Sequence, residues 1–303
     1  MRRQMSKYDD IAEKLSGAKL PDVDFDAYYK AHADDKQKLK RVVDYYDELE
    51  AFLDNGDEIH GAKLPFPITH NKFRFRDGEV TLWTGFNGHK KSMMLGYASI
   101  EFLKQNQKVA IASFEMRPIK TIIRMAKQFC HSGTGDYDAV AEFMGYCANN
   151  LYVFDHYGEM NPDRLLPVIY YCAKELGVKH FVIDSLMRVI AGEDSYNAQK
   201  DFVVRLCNLA IETNIHIHLV HHTKKGNEDR PSGRYDAKGS GAISDNVHNS
   251  LIVWSNKEGA KDMPDVILKC DKQREGEWEG SLGIKFDHET TRFYEQLSGA
   301  SYD

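Results

Sequence analysis

A lysine and a hydroxyl at the end of a glycine-bearing loop are the first residues here that could do chemistry. In VTLWTGFNGHKKS (80–92) an apolar run ends at Thr84, and Gly85, Phe86, Asn87, Gly88, His89, Lys90, Lys91 and Ser92 lead into a helical stretch. Strand, loop and helix in that order present unpaired N–H groups and a positive dipole end, the place where phosphates bind. Lys91 would reach the outer phosphates and the Ser92 hydroxyl would take Mg2+. The pattern G-x-x-x-x-G-K-[ST] asks for glycine at position 90, where this chain has lysine. That side chain would either crowd the loop or add a phosphate contact. An ordinary strand–helix turn has the same outline.

Further along, His180-Phe-Val-Ile-Asp184 is an apolar strand ending in a carboxylate, which could hold Mg2+ directly or through water. A helix cap is the plain alternative. Ser113-Phe-Glu115-Met ends another strand, and Glu115 could accept the proton of an attacking water or simply cap a helix. His221-His222 follows a fifth apolar run, and His222 could hydrogen-bond a γ-phosphate. A metal site built from His216, His218, His221 and His222 is not expected, because neighbouring strand residues point to opposite faces and no cysteine lies near. Lys269-Cys-Asp-Lys272-Gln-Arg274 carries two cations in a turn, either a solvated surface or a finger for phosphoryl charge. Between them, Lys224, Lys225, Arg230, Arg234 and Lys238 face Glu228, Asp229 and Asp236 in one polar, glycine-bearing loop, a local charge of +2. Five cations on one loop suit the backbone of a single nucleic-acid strand; a solvated loop is the alternative.

These groups need a frame that brings strand ends together. Strands are expected at Glu79–Thr84, Val109–Phe114, Leu151–Phe154, His180–Ile183 and Ile215–Val220. They alternate with helices over Lys91–Lys104, 118–130, 162–176 and 196–213. Short apolar strands alternating with helices make a parallel sheet covered on both faces. Runs at 249–254, 265–270 and 282–286 read as a meander at its edge. The expected fold is therefore α/β, mainly parallel with an antiparallel edge. A helical segment (1–60) precedes a single domain (61–303). In the segment, Leu39, Val42, Val43, Tyr46, Leu49 and Leu53 fall at helical spacing within 35–54, a stripe to be covered by its own domain or by a neighbouring subunit.

The five pieces, in this order, resemble the RecA-like P-loop core of DnaB-family replicative helicases, most of all the branch holding phage primase-helicases and mitochondrial Twinkle. The resemblance covers about residues 61–295. It implies that Glu115 is the catalytic glutamate, Asp184 the Mg2+ aspartate and His222 the γ-phosphate sensor. Asp236-Ala-Lys-Gly239-Ser-Gly241-Ala-Ile matches the family segment after the DNA-binding loop. Lys272 and Arg274 match a Lys-x-Arg pair that acts on the neighbouring subunit's ATP. An ATP-driven, ring-forming, hexameric motor on single-stranded DNA follows from that likeness, with primase or other replication proteins as partners. Two departures stand out: Lys90 in place of glycine, and only about 60 residues where relatives carry a primase or other N-terminal domain.

Composition narrows the field. Among 303 residues, 40 basic against 46 acidic give a net charge of −6, so any nucleic-acid site must be local. Five scattered cysteines without a C-x-x-C pair argue against a disulfide scaffold and fit a reducing cytoplasm. The phage branch of the resemblance points to a phage or prophage gene. No apolar run is long enough to span a membrane. Two rivals stand beside the helicase: a RecA/RadA-type recombinase forming filaments, and a nucleotide-binding scaffold that has lost turnover through Lys90.

Overall fold

A computed structural model describes residues 40–54, 60–131, 137–190, 195–223, 231, 241–260 and 263–296. The chain divides into two units, Met1–Glu58 and Ile59–Asp303. In the first, a 3-10 turn at Val42–Tyr45 runs into helix α1 (Tyr46–Asp54). Val42, Val43, Tyr46, Leu49 and Leu53 are exposed; Leu39 lies outside the described residues.

In the second unit the apolar runs become strands β1 (Val80–Thr84), β2 (Val109–Ser113), β3 (Leu151–Val153), β4 (His180–Asp184) and β5 (His216–Val220). Between them run helices α2 (Lys91–Lys104), α3 (Pro118–Cys130), α4 (Tyr137–Cys147), α5 (Pro162–Lys174), α6 (Leu186–Val189) and α7 (Tyr196–Thr213). The tail adds α8 (Gly241–Asn246), β6 (Asn249–Ser255), β7 (Val266–Gln273), β8 (Gly280–Phe286) and β9 (Phe293–Glu295). The nine strands form one sheet in the order β3-β2-β4-β5-β1-β6-β7-β8-β9. The first six in that order are parallel, and the last three run antiparallel. This is the α/β arrangement expected from the alternation of runs. Helix α4 and strand β9 were not legible in the pattern.

Both faces of the sheet are covered, and alternate residues of each strand serve opposite sides. Trp83 and Val182 pack with Leu95, Phe102 and Met125. Val80, Leu82, Phe181 and Ile183 pack with Leu165, Ile169, Phe202 and Leu206.

A polar ladder crosses the first of these faces. Trp83 Nε1 donates to His218 Nδ1 at 3.2 Å, and His218 Nε2 meets His180 Nδ1 at 3.1 Å. His216 Nδ1 lies 2.6 Å from the Arg76 carbonyl, and its Nε2 lies 2.8 Å from Thr81 Oγ1. Phe102 stacks on His180, with ring centroids 4.1 Å apart. His216 and His218 alternate on one face as expected, and His180 joins them from β4.

Candidate active site

The parallel strands deliver the candidate residues to one edge of the sheet. The loop after β1 is shaped by two glycines with positive φ, and at the first a side chain has no room. Gly85 has φ +145°, and a Cβ there would collide with the Val253 carbonyl of β6; Gly88 has φ +76°. Phe86 is buried in a small cluster with Trp254 and Ile267. His89 is buried, and its Nδ1 accepts the Ser255 N–H at 3.0 Å. The side chains of Phe86 and His89 therefore pin the loop to β6, and the His89 N–H closes a turn on the Phe86 carbonyl at 3.3 Å. Asn87 is exposed, and its carbonyl accepts from Lys257 Nζ at 2.9 Å.

Lys90, where the loop pattern wants glycine, caps α2 in the left-handed conformation (φ 64°, ψ 17°). Its ammonium lies 4.8 Å from the centroid of the Phe286 ring. The side chain thus reaches across to β8 in this structure. Lys91 is buried, and its Nζ donates to the carbonyls of Gly85 and Phe86, both at 2.8 Å. Burial pushes its ammonium down to about 8, against the pull of Asp184 and Glu115. A phosphate at the loop would compete with those two carbonyls for the ammonium.

Ser113 at the end of β2 lies beside Asp184 at the end of β4 in the parallel register. Asp184 is fully enclosed; burial raises its carboxyl, and a hydrogen bond from Ser92 opposes the rise. Its Oδ1 has no protein hydrogen-bond partner. An enclosed carboxylate at a strand end, hydrogen-bonded by the serine at the N-terminus of α2, suits a hydrated divalent cation on its loop side. Among the described residues no group of three or more His, Cys, Asp or Glu could hold a metal. Ser92, Asp184 and a phosphate would have to suffice.

Glu115 follows β2 and receives two donors on the same oxygen. Ser185 Oγ donates to Oε1 at 2.6 Å, and His222 Nε2 lies 3.3 Å from it. The His222 bond, with help from Ser185, holds the Glu115 carboxyl down at about 2 despite desolvation. The structure thus brings Lys91, Ser92, Glu115, Asp184 and His222 to one place.

Lys272 and Arg274 divide. Lys272 Nζ donates to the carbonyls of Ser244, Asp245 and Val247, each at 2.8 Å. An ammonium at the C-terminal end of a helix satisfies orphaned carbonyls and the negative dipole end. In this arrangement Lys272 anchors the end of α8 in its own chain, and a role on a neighbour's ATP would require it to leave these carbonyls. Arg274 is exposed, with one Nη2 bond of 3.3 Å to the Asp245 carbonyl. Lys224, Lys225, Arg230, Arg234 and Lys238 lie outside the described residues, as do Asp236, Gly239 and Ser240.

Two residues with no signature of their own join the site. Lys257, between β6 and β7, approaches Gly88 and Asn87. Arg124 of α3 donates from Nη2 to the Ser92 carbonyl at 3.2 Å. Neither falls at a spacing that a motif would have marked.

A mainly parallel sheet whose first strand leads through such a loop into a helix, with carboxylates at or just past two adjacent strand ends, is a RecA-like arrangement. The chain superposes on a solved ATPase domain with TM-score 0.72 and 17% identity, over 84% of this chain and 97% of that one. It superposes on a DnaB-like replicative helicase, solved in a study of its interactions with primase, with TM-score 0.70 and 15% identity, over 84% of this chain and 67% of that one. In sequence it is 25% identical over 258 residues to the DNA helicase/primase of Enterobacteria phage T3. That match takes in 75% of this chain and 43% of the relative, so the chain spans less than half of that protein's length. No family model matches.

Proposed function

We propose that this chain is the motor of a DnaB-type replicative DNA helicase, hydrolysing ATP to move along single-stranded DNA. The observation that carries the reading is the convergence of Lys91, Ser92, Glu115, Asp184 and His222 at the ends of adjacent parallel strands. The likeness to the phage T3 helicase/primase and the shared fold support it.

In this reading the loop Gly85–Lys90 offers backbone N–H groups to the phosphates, and Lys91 leaves the Gly85 and Phe86 carbonyls to meet them. Ser92 and Asp184 hold Mg2+, which when bound neutralises phosphate charge. Glu115 accepts the proton of the attacking water. While His222 and Ser185 both donate to Oε1, that carboxylate is a weak base; a His222 drawn toward a γ-phosphate would restore its basicity. His222 would thereby couple nucleotide state to proton transfer and to the segment after residue 223. The five cations between 224 and 238 would contact the DNA backbone. Arg274 would reach the neighbouring subunit's phosphates in a hexameric ring, and a primase is the proposed partner.

The test is steady-state ATP hydrolysis with and without single-stranded DNA, beside strand displacement on a forked duplex. DNA-stimulated hydrolysis with unwinding is the expected result. Hydrolysis with helical filaments in negative stain, and no unwinding, would favour a recombinase. Nucleotide binding without turnover would favour a scaffold.

A further inference from the structure

Beside Asp184, with none of residues 85–91 in its lining, lies a cavity of about 10 Å³ lined by Ser92, Ser113, Thr121, Arg124 and Asp184, by Ser99, whose hydroxyl already donates to the Leu95 carbonyl, and by apolar neighbours. A space of roughly 10–15 Å³, counted as room for the centre of a water molecule, holds one water if two to four polar groups face it. Four do. Asp184 Oδ1, Ser113 Oγ, Thr121 Oγ1 and Arg124 Nε are all buried and have no protein partner. Their chemistry complements a single water. Nε–H can only donate, the carboxylate can only accept, and the two hydroxyls rotate to either role.

Arg124 reaches this place because α3 presents a polar stripe. Thr121, Arg124 and Gln128 fall three and four residues apart, on one helical face. Arg124 Nη2 holds the Ser92 carbonyl at 3.2 Å, and Gln128 Nε2 holds that of Met93 at 3.2 Å. The stripe therefore grips the first turn of α2, where Lys91 and Ser92 sit. Lys91 and His222 do not line the cavity, so on that side the cation facing Asp184 is Arg124.

We propose that Arg124 is a positioning residue for Ser92 and Asp184, gripping Ser92 through its carbonyl and Asp184 through one water molecule bound in this cavity. The inference rests on the reading of Ser92 and Asp184 as the metal-holding pair. With Oδ1 fixed from the cavity, the other carboxylate oxygen and the Ser92 hydroxyl stay aimed at the phosphate side. Groups that orient metal ligands in this way commonly change metal affinity by about 10- to 100-fold when removed.

The experiment titrates Mn2+ into the protein with ADP, following free Mn2+ by electron paramagnetic resonance, and measures ADP binding separately in EDTA. Wild type and Asp184→Asn come first. If wild type binds no Mn2+ with ADP, or if Asp184→Asn binds it equally well, the metal reading fails and takes this inference with it. Where that reading holds, Arg124→Met should weaken Mn2+ binding by about 10- to 100-fold with little change in metal-free ADP binding. Arg124→Lys should recover part of the loss. Ser113→Ala and Thr121→Val, small changes that the fold should accept, should each weaken Mn2+ binding several-fold. Unchanged Mn2+ affinity in Arg124→Met, or equal loss of metal-free ADP affinity, would overturn the positioning role. A high-resolution crystal structure showing the cavity dry would overturn the water.

Discussion

Lowering the pH should destabilise this protein through the three buried histidines of its sheet, and the hydrogen bonds say why. Trp83 Nε1–H can only donate, so His218 Nδ1 must accept, and the proton of a neutral His218 sits on Nε2. That proton goes to His180 Nδ1, which leaves the His180 proton on Nε2. The Arg76 carbonyl can only accept, so His216 carries its proton on Nδ1 and takes the Thr81 hydroxyl on Nε2. Every ring is neutral, and a second proton on His218 or His180 would set N–H against N–H. Desolvation works in the same direction. Burial puts His180 and His218 well below the ordinary histidine range, and His216 down to about 3.

Because the folded-state values are depressed, this stability is fully present above about pH 6.5 and is lost as pH falls below it, when the unfolded chain takes up protons that the native state refuses. The slope is about 1.36 kcal/mol per pH unit for each ring. Between pH 7.5 and 5.5 three rings remove about 4 kcal/mol, from a total of order 5–15 kcal/mol for a typical domain. Burial raises the Glu79 carboxyl, which acts in the opposite sense, so the measurement should be differential. Urea unfolding of wild type and His180→Gln across that range should show a shallower loss in the variant, by about 1.4 kcal/mol per pH unit below pH 6. Parallel slopes, or proton uptake on unfolding at pH 5.5 that does not fall by about one in the variant, would refute the neutral ladder.

Three further outcomes concern the site. Lys91→Ala should abolish ATP binding or hydrolysis, read by fluorescent-nucleotide titration; an unchanged rate would unseat the phosphate loop. Arg274→Ala should bind ATP nearly normally but hydrolyse it about 10³–10⁵-fold more slowly. Mixing it with Lys91→Ala should restore activity at interfaces pairing an intact loop with an intact arginine, and mixed assemblies as inactive as their parents would exclude a role in trans. Lys90→Gly should leave hydrolysis within a few-fold of wild type and stability within about 1 kcal/mol, since relief of the left-handed strain offsets a lost cation–π contact and added chain entropy. A large fall in rate would mean that the Lys90 side chain does touch phosphate.

What could be read in advance depended on whether a feature is local. The parallel strands were legible because each is a short buried run whose residues pack to both sides, as Phe181, Val182 and Ile183 do. Lys91, Ser92, Glu115, Asp184 and His222 were legible because each stands at or near a strand end, and a parallel sheet gathers such ends on one edge. Helix α4 was not legible because AVAEFMGYC is an apolar run broken only by Glu142 and Gly145, without a clear polar face, and follows the glycine-bearing sequence HSGTG. The anchoring of Lys272 was not legible because its partners, the carbonyls of Ser244, Asp245 and Val247, are backbone groups that no spacing reveals. Arg124 was invisible for a related reason: on α3 it looks like one polar position of an amphipathic helix, and only the packing of α3 on α2 turns it toward Ser92.

Lys90 separates these two kinds of information. The glycine in the loop pattern combines two requirements, a left-handed backbone and the absence of a side chain, and a sequence cannot say which one operates. Here the backbone requirement stands, with φ at 64°. The side chain is tolerated because α2 starts close enough to β8 for the ammonium to reach the Phe286 ring. Phe286 lies almost 200 residues further on and belongs to the antiparallel end of the sheet, so nothing near the loop could have announced it. The departure from the pattern is compensated at long range, and Lys91 and Ser92 keep their place at the start of α2.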